Sequence, residues 1–575
     1  MFDLGHHWRR WHGLLRVLIG AAALILGFWG WQIAPHPEGT TGLINNVFRT
    51  LQLLTFQFPH EIDLAKNWQL NVARFLLPAV ALFETYRLII GSIRSPARLA
   101  MLGLRRGHVV VVPGPGGTGK ALLHQLRVRG LRAVAVVGES SPEEIARLEA
   151  GDIAVLAADP RLTETWEQVR ADNAAMVFIA RDSDVENLNI VVAVADALRD
   201  EPPGVRPNLV TAITNDALAA QVDVALDKAA RGSGLRYRRL SVPDEAARML
   251  FLDPPLPNRK PDRALASHIL LVGLGPGARA VLRHAAMLGQ DARETGPRIT
   301  VVASQTDLDA ETLLRDTPLP AFIAEVHLLP CAWESGLPRP EALKEVLAGL
   351  PPPTLACVCL PDDAAVIVGL ALAGHAAAKH WPACQVAVHQ AEEDRFLSLL
   401  AQERTGEGHD RLRPFGGILP DGTLTRLLSE RHDRLPRAVH EHYLETLRRQ
   451  GEAAGGTPEP WDALPENMRH ANRAAADHLT VKLAAIGCRA VAGTGAFDFT
   501  AVEIETLARI EHRRWCAERV LRGWRHGPRD NAARLHPDLV PFDELNDIAQ
   551  DKDRDAVRAL PEVLALAGDR IERAG

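Results

Sequence analysis

The chain is poor in the residues that redox, metal and hydride chemistry most often use. Its 575 residues include only six cysteines: Cys331, Cys357, Cys359, Cys384, Cys488 and Cys516. None has Cys-x-x-Cys spacing, which argues against a zinc site and a thioredoxin-type dithiol and fits buried thiols in a reducing compartment. His512, His526 and His536 match no usual ligand spacing, so no metal is expected. There are only three tyrosines and no Tyr-x-x-x-Lys pair, so no catalytic residue is assigned and the chain is read as a non-enzyme. The net charge of −6 shows no basic excess, so no nucleic-acid partner is expected. Length alone suggests roughly three or four domains, and 47% hydrophobic residues supply their cores.

What is present centres on His108 to Glu139, HVVVVPGPGGTGKALLHQLRVRGLRAVAVVGE. An apolar run leads into Gly114-Pro-Gly116-Gly117-Thr-Gly119, then a helical stretch, a second apolar run and an acid. That is the dinucleotide-binding fingerprint in its required context. Gly114 permits the tight turn, Gly116 lets backbone approach a pyrophosphate, and Gly119 allows close helix–strand packing. The helix N-terminus offers free N–H groups and partial positive charge, and Glu139 is placed to accept from ribose hydroxyls. Gly114 to Lys120 also fits a P-loop, but Ala121 lacks the hydroxyl such a loop uses for magnesium. A Rossmann-like fold that binds nothing remains the other reading.

The alternation continues through Ile153–Ala157, Ala175–Ala180 and Leu209–Ile213. With Asp159 after the third strand, this order resembles the TrkA-N/RCK family, the regulators of potassium conductance, over residues 107 to 250. The resemblance implies a cytoplasmic Rossmann unit that binds NAD(H) or another adenine nucleotide, with Glu139 and Asp159 at the family's acidic positions, and couples it to a pore. It also implies a homo-oligomer, expected to be a tetramer. A second unit starts at His268, with Gly273-Leu-Gly275-Pro-Gly277. Ser304 and Gln305 stand where its acid would be, so weaker or no dinucleotide binding is expected there. The linker around Asp253 to Pro261 carries four prolines and reads as an extended connector.

Near the C-terminus stand Glu511-His-Arg-Arg514-Trp515, Gly523-Trp524-Arg525-His-Gly527 and His536-Pro-Asp-Leu-Val-Pro541, with Asn472-Arg473 upstream. They resemble the RyR domain, the helical repeat named after ryanodine receptors. The resemblance implies a sensor of nucleotide-like signals, with Arg473, Arg514, Trp515, Trp524, Arg525 and His536 as ligand candidates. From the residues alone, the tryptophans equally suit a small core and the arginines a solvated face.

The N-terminal stretch reads as membrane. Val17 to Ala34 has no charge, about the length of a spanning helix, and a second apolar run covers 72–93. A cleaved signal peptide is the alternative for the first. Arginines outside both runs put the N- and C-termini in the cytoplasm, and the expected location is a bacterial inner membrane. Leu43 to Phe58 suits a short dipping helix, or one lying on the outer surface. Thr55 and Gln57 would then line a pore, and Glu84 would be an intramembrane acid or pair with Arg87. No TVGYG filter is present.

The expected fold class is thus membrane helices, two spans plus a re-entrant helix, followed by α/β: two tandem Rossmann-like RCK/TrkA-N units and a mostly α-helical RyR domain. The expected limits are 1–106 for the pore-like part, 107–252, 253–404, a helical linker 405–459, and 460–575. The expected function is a nucleotide-gated cation channel, potassium-like, serving stress or anti-phage defence. Its expected partners are a nucleotide-type ligand, a monovalent cation and membrane lipid. The alternatives are a non-conducting nucleotide receptor or scaffold and a membrane-anchored NAD-dependent oxidoreductase.

Overall fold

The computed structural model describes residues 4–34, 42–55, 57, 67–102, 106–115, 117–138, 141–151, 153–199, 207–252, 268–290, 295–311, 318–334, 336–381, 384–390, 397, 399–400, 408–416, 427, 433–450 and 459–573. It separates into two compact units, 1–101 and 102–575.

The first unit contains helices α1 (Leu4–Ile33), α2 (Leu43–Gln52) and α3 (Trp68–Leu102). Trp31, Leu53, Leu70, Ala73 and Leu77 form its small core. The Asn67 side-chain amide donates to the Gly30 carbonyl at 2.7 Å. Among the described residues no helix is long and apolar enough to cross a membrane. This corrects the two expected spans, the pore-like domain and the inner-membrane placement. The sequence of α1 carries Arg9, Arg10 and Arg16 in its first half. The start of α3 carries Gln69, Asn71 and Arg74 among its apolar residues. In α2 the polarity is reversed: Asn46 and Thr50 are buried while Leu43, Ile44, Val47, Phe48 and Leu51 are exposed. Thr55 ends the turn after α2, its hydroxyl donating to the Gln52 carbonyl at 2.9 Å. Gln57 is exposed, and the Glu84 side chain lies outside the described residues. The cation and lipid partners are not shown by the described residues.

The second unit is built on two six-stranded sheets. Strands β1 (Val109–Pro113), β2 (Ala133–Val137), β3 (Ala154–Ala157), β4 (Met176–Ala180), β5 (Asn208–Ala212) and β6 (Arg236–Leu240) lie in the order β3-β2-β1-β4-β5-β6. Every pairing is parallel. β1 and β4 are buried along their whole length, which is why they read as unbroken apolar runs instead of alternating ones. β7 (His268–Val272), β8 (Arg298–Ala303), β9 (Glu325–Pro330), β10 (Leu355–Val358), β11 (Gln385–Gln390) and β12 (Leu412–Gly416) repeat that order, with β7 and β10 at the centre. The repeated Rossmann topology matches the expected α/β part. β12 lies in a stretch read from sequence as linker, so the second sheet reaches past residue 404.

The two sheets are interlocked. Helix α5 (Val242–Leu252), which follows β6, packs against α6 (Pro276–Leu288), and its Ala247, Leu250 and Phe251 join the second sheet's core. The C-terminal part comprises α7 (Arg434–Gln450), α8 (Glu466–Ala485), α9 (Ala501–Leu521), α10 (Asp547–Arg558) and α11 (Leu560–Ala567). An antiparallel pair, β13 (Cys488–Ala492) and β14 (Asp569–Arg573), completes it. A capping box between Thr500 and Glu503 starts α9. Leu479, Leu507, Ile510, Phe542, Val557 and Leu564 fill this module's own core. Its opposite face gives Val481, Cys516, Ala517 and Val520 to the core of the second sheet.

Candidate functional site

At the C-terminal end of β1 the chain turns at Gly114 into α4 (Gly117–Val128). The Gly114 N–H donates to the Ala180 carbonyl at 2.7 Å. A β-carbon on Gly114 would lie 2.8 Å from Asp182 Oδ1 and 2.9 Å from Arg181 Cα. One on Gly119 would lie 2.6 Å from Pro113 Cα, so α4 approaches β1 as closely as only glycine allows. Gly117 opens α4, and Gly116 and Glu139 lie outside the described residues.

Lys120 closes over this turn. Its Nζ donates to the Pro115 carbonyl at 3.0 Å and pairs with Glu144 at 2.8 Å. Both side chains are partly exposed. Asp159 is held by Arg161, Nε to Oδ1 at 2.9 Å and Nη2 to Oδ2 at 2.7 Å. Those hydrogen bonds keep its carboxyl below the usual range. Arg181 braces the site from β4, donating to the Pro113 carbonyl and to Glu186, each at 2.9 Å. Asn187 accepts from the Arg181 N–H at 2.8 Å and donates to the Ala212 carbonyl at 2.9 Å. Sequence reasoning missed Arg181 and Asn187 as braces; their only trace was the polar run breaking the pattern after β4.

The second glycine turn is built differently. Gly273 has φ +96°, and a β-carbon there would lie 2.5 Å from the Cys359 carbonyl oxygen. Gly277 sits against the His389 ring, and Gly275 faces open space. After β8, the Ser304 hydroxyl accepts from the Asp307 N–H at 3.1 Å and caps a short helix. The position of the absent acid therefore serves capping.

In the C-terminal module, Trp515, Trp524 and His536 come together. The His536 ring meets Trp515 edge-on at 5.0 Å and Trp524 at 6.4 Å. The Arg519 guanidinium lies 5.8 Å from the Trp515 ring and 5.0 Å from that of Trp524. Arg519 had not been singled out, although its place one turn after Trp515 on a helix was the available signal. Arg525 is exposed on the short strand beside Leu535–His536. Arg473 and Arg514 stand elsewhere. Arg473 is committed to Asp433, at 2.7 and 2.8 Å, and to Glu466 at 2.7 Å. Arg514 is buried against Glu511 at 2.7 Å, which also holds Lys482.

One constellation here looks catalytic and is not. His512 Nδ1 faces Asp553 at 3.1 Å, and its Nε2 lies 3.4 Å from Cys516 Sγ. But Nε2 also lies 2.8 Å from the Val540 carbonyl, so both ring nitrogens carry protons to donate. Burial opposes that charge; Asp553 and Cys516 outweigh it and raise the His512 pKa to about 10. Burial pushes the fully enclosed Cys516 thiol up, so it is not a nucleophile.

Residues 110–222 match the family model for the TrkA-N domain, and residues 500–573 that for the RyR domain. The chain carries a TrkA-N domain and a RyR domain. The glycine turn, Asp159 and Arg181 lie in the TrkA-N domain; the Trp515–Arg519–Trp524 cluster lies in the RyR domain. No curated protein sequence matches the chain. Among solved structures, one described as GsuK bound to ADP is 16% identical, covering 77% of this chain and 99% of its own, at TM-score 0.35. A GsuK channel bound to NAD is 14% identical, covering 73% and 83%, at 0.38. The human SLO3 gating ring is 12% identical, covering 60% and 86%, at 0.36. These scores are low, and the domain assignment rests on the two family models.

Proposed function

We infer that this chain is a nucleotide-responsive regulatory protein. The first Rossmann unit holds NAD(H) or another adenine nucleotide at the Gly114–Lys120 turn, and the RyR domain takes a second nucleotide-type ligand beside Trp524, Arg525 and His536. The chain acts by coupling between these sites and does no chemistry on the nucleotide. The observation that carries this reading is the turn itself. Gly114 and Gly119 have no room for a side chain, so the backbone N–H groups at the start of α4 stand beside Lys120, an arrangement suited to phosphate oxygens. Asp159 is the acid within reach of the same strand ends. The working limits are 107–252 for the first unit, 253–416 for the second, which includes β12, and 460–575 for the RyR region, in a homo-oligomer.

Coupling has a physical route. The RyR helix α9 contributes to the core of the second sheet, and α5 of the first unit packs into that same core. A ligand that favours one arrangement of this shared core shifts the affinity at the other site by the same factor. Mass spectrometry of the small molecule released from purified full-length protein, followed by calorimetry with that molecule, tests the reading. An adenine nucleotide whose binding is lost on Gly119→Val supports it. Turnover of NAD(H) with any substrate, or no nucleotide binding at all, overturns it.

A further inference from the structure

The loop that joins α9 to Leu535–His536 is held in place by its own residues. Arg534, at φ +55°, donates from Nη1 to the Arg522 carbonyl at 2.9 Å, and its own carbonyl accepts from the Arg525 N–H at 2.9 Å. Asp530 accepts from the Ala532 and Ala533 N–H groups at 2.9 and 3.0 Å. Beneath the loop, Trp515 and Trp524 pack against the core of the second sheet. Side chains presented here start from a fixed frame, which lowers the ordering cost of binding.

That frame carries cations without partners. Arg525, Arg529 and Lys552 are exposed, and none of their side chains makes a hydrogen bond or ion pair with a described residue. Arg519 reaches the same place from α9. Its guanidinium lies 5.0 Å from the Trp524 ring, with Glu518 at 3.8 Å. The neighbouring acids are spent: Glu518 takes Arg522 at 2.9 Å, Asp551 takes Arg554 at 2.9 Å, and Asp553 faces His512 at 3.1 Å. Asp538 stands 3.9 Å from His536. Burial lowers the His536 pKa; Asp538 opposes this, and Arg529, Arg519 and Lys552 add to it. The ring and these cations therefore share one neighbourhood. His536 Nδ1 accepts from the Asp538 N–H at 3.1 Å, which puts the proton of the neutral ring on Nε2. Nε2 makes no hydrogen bond with a described residue.

We propose that this rim binds a nucleoside carrying at least two phosphate groups, its base beside Trp524 and the His536 Nε2–H and its phosphates spread over Arg525, Arg529 and Lys552. The proposal rests on the reading of the RyR domain as a nucleotide site and narrows the ligand of that site. An indole face and a ring N–H suit a base. Like charges gathered by the fold repel one another, and a ligand whose charge is distributed relieves more of that repulsion than one phosphate does. Cations drawn from the loop and from α10 are thus matched by a chain of phosphates, whereas a single phosphate fills one guanidinium fork. The two phosphates are either a terminal diphosphate or a bridged pyrophosphate.

The test is calorimetry of the full-length protein with adenosine, AMP, ADP and ADP-ribose. The part of each isotherm that disappears in Trp524→Leu reports the rim and separates it from the glycine turn; His536→Ala replaces that variant if it does not fold. Rim binding of ADP or ADP-ribose should be at least about tenfold tighter than that of AMP, with adenosine weaker still. It should fall at least about tenfold in Arg525→Ala/Arg529→Ala, both exposed positions, and weaken as salt is raised. Preference for ADP identifies a terminal diphosphate as the occupant, and preference for ADP-ribose a bridged pyrophosphate. Rim binding of AMP as tight as that of both, or unchanged by the arginine variant, overturns the proposal and leaves the nucleotide reading standing. A short single-stranded oligonucleotide that outcompetes both probes reassigns the rim to nucleic acid and also overturns it. No rim binding by any probe overturns the proposal and the RyR part of that reading together.

Discussion

Arg248 and Asp477 meet in a two-point ion pair, Nε to Oδ2 and Nη2 to Oδ1, both at 2.6 Å. Arg248 lies on the helix after β6 and Asp477 on α8, so the pair fastens the first Rossmann unit to the helical module. Both side chains are largely buried. Asp477→Ala should therefore cost about 3–5 kcal/mol, because Arg248 loses its two-point partner and, among the described residues, keeps Glu245 at 3.2 Å. The paired change Arg248→Met/Asp477→Leu should cost less than either single change. Urea denaturation of the three variants measures this; equal losses in single and double variants would refute it.

Substitution at the first glycine turn should abolish nucleotide binding, and substitution at the second should not. Gly119→Ala drives a methyl group to 2.6 Å from Pro113 Cα, displacing α4 from β1. A loss of at least about tenfold in affinity is expected. Gly275→Ala meets no atom within 4 Å and should leave binding unchanged. Calorimetry with NAD(H) and ADP compares the two.

Lys120 and Glu144 should act in opposite directions. Lys120→Ala removes a cation at the turn and is expected to weaken nucleotide binding about five- to tenfold. Glu144→Gln frees the lysine from its carboxylate and should tighten binding by a few fold. Both effects should shrink as salt is raised, since the pair is partly exposed. Titrations at two ionic strengths provide the check.

The buried His512 makes stability depend on pH. Its folded pKa, raised to about 10, exceeds the ordinary value near 6.5. The stabilisation is therefore fully present below about pH 6.5 and is lost progressively as pH rises towards 10, a change on the order of a few kcal/mol. His512→Gln should lower stability at pH 6 and flatten the fall between pH 7 and 10. Denaturation midpoints of wild type and variant across that range decide it.

Some of this was legible in the sequence for definite reasons. β1 and β7 announce themselves because strands buried on both faces are unbroken apolar runs, and the glycines after them mark turns that tolerate no side chain. The start of α9 was legible through Thr500 and Glu503, whose capping is local. What failed were properties that arise only between distant segments. Arg473 and Arg514 read as free cations because Asp433 and the shared Glu511–Lys482 contact cannot be placed by spacing. The apolar stretch at 17–34 suggested a span by composition, whereas among the described residues no helix is long and apolar enough to cross a membrane.

Val481, Cys516, Ala517 and Val520 belong to two modules at once: by sequence they are C-terminal, by packing they complete the second sheet. The RyR region is therefore not a detachable cassette. A chain cut short before it would bare an oily scar on its neighbour, and a gene fusion that swapped it for another sensor would have to reproduce that face along with its ligand preference. On the function proposed above, changes in ligand preference fall on the rim around Trp524 and Arg525, while the inner side of α9 is held by the second sheet's core.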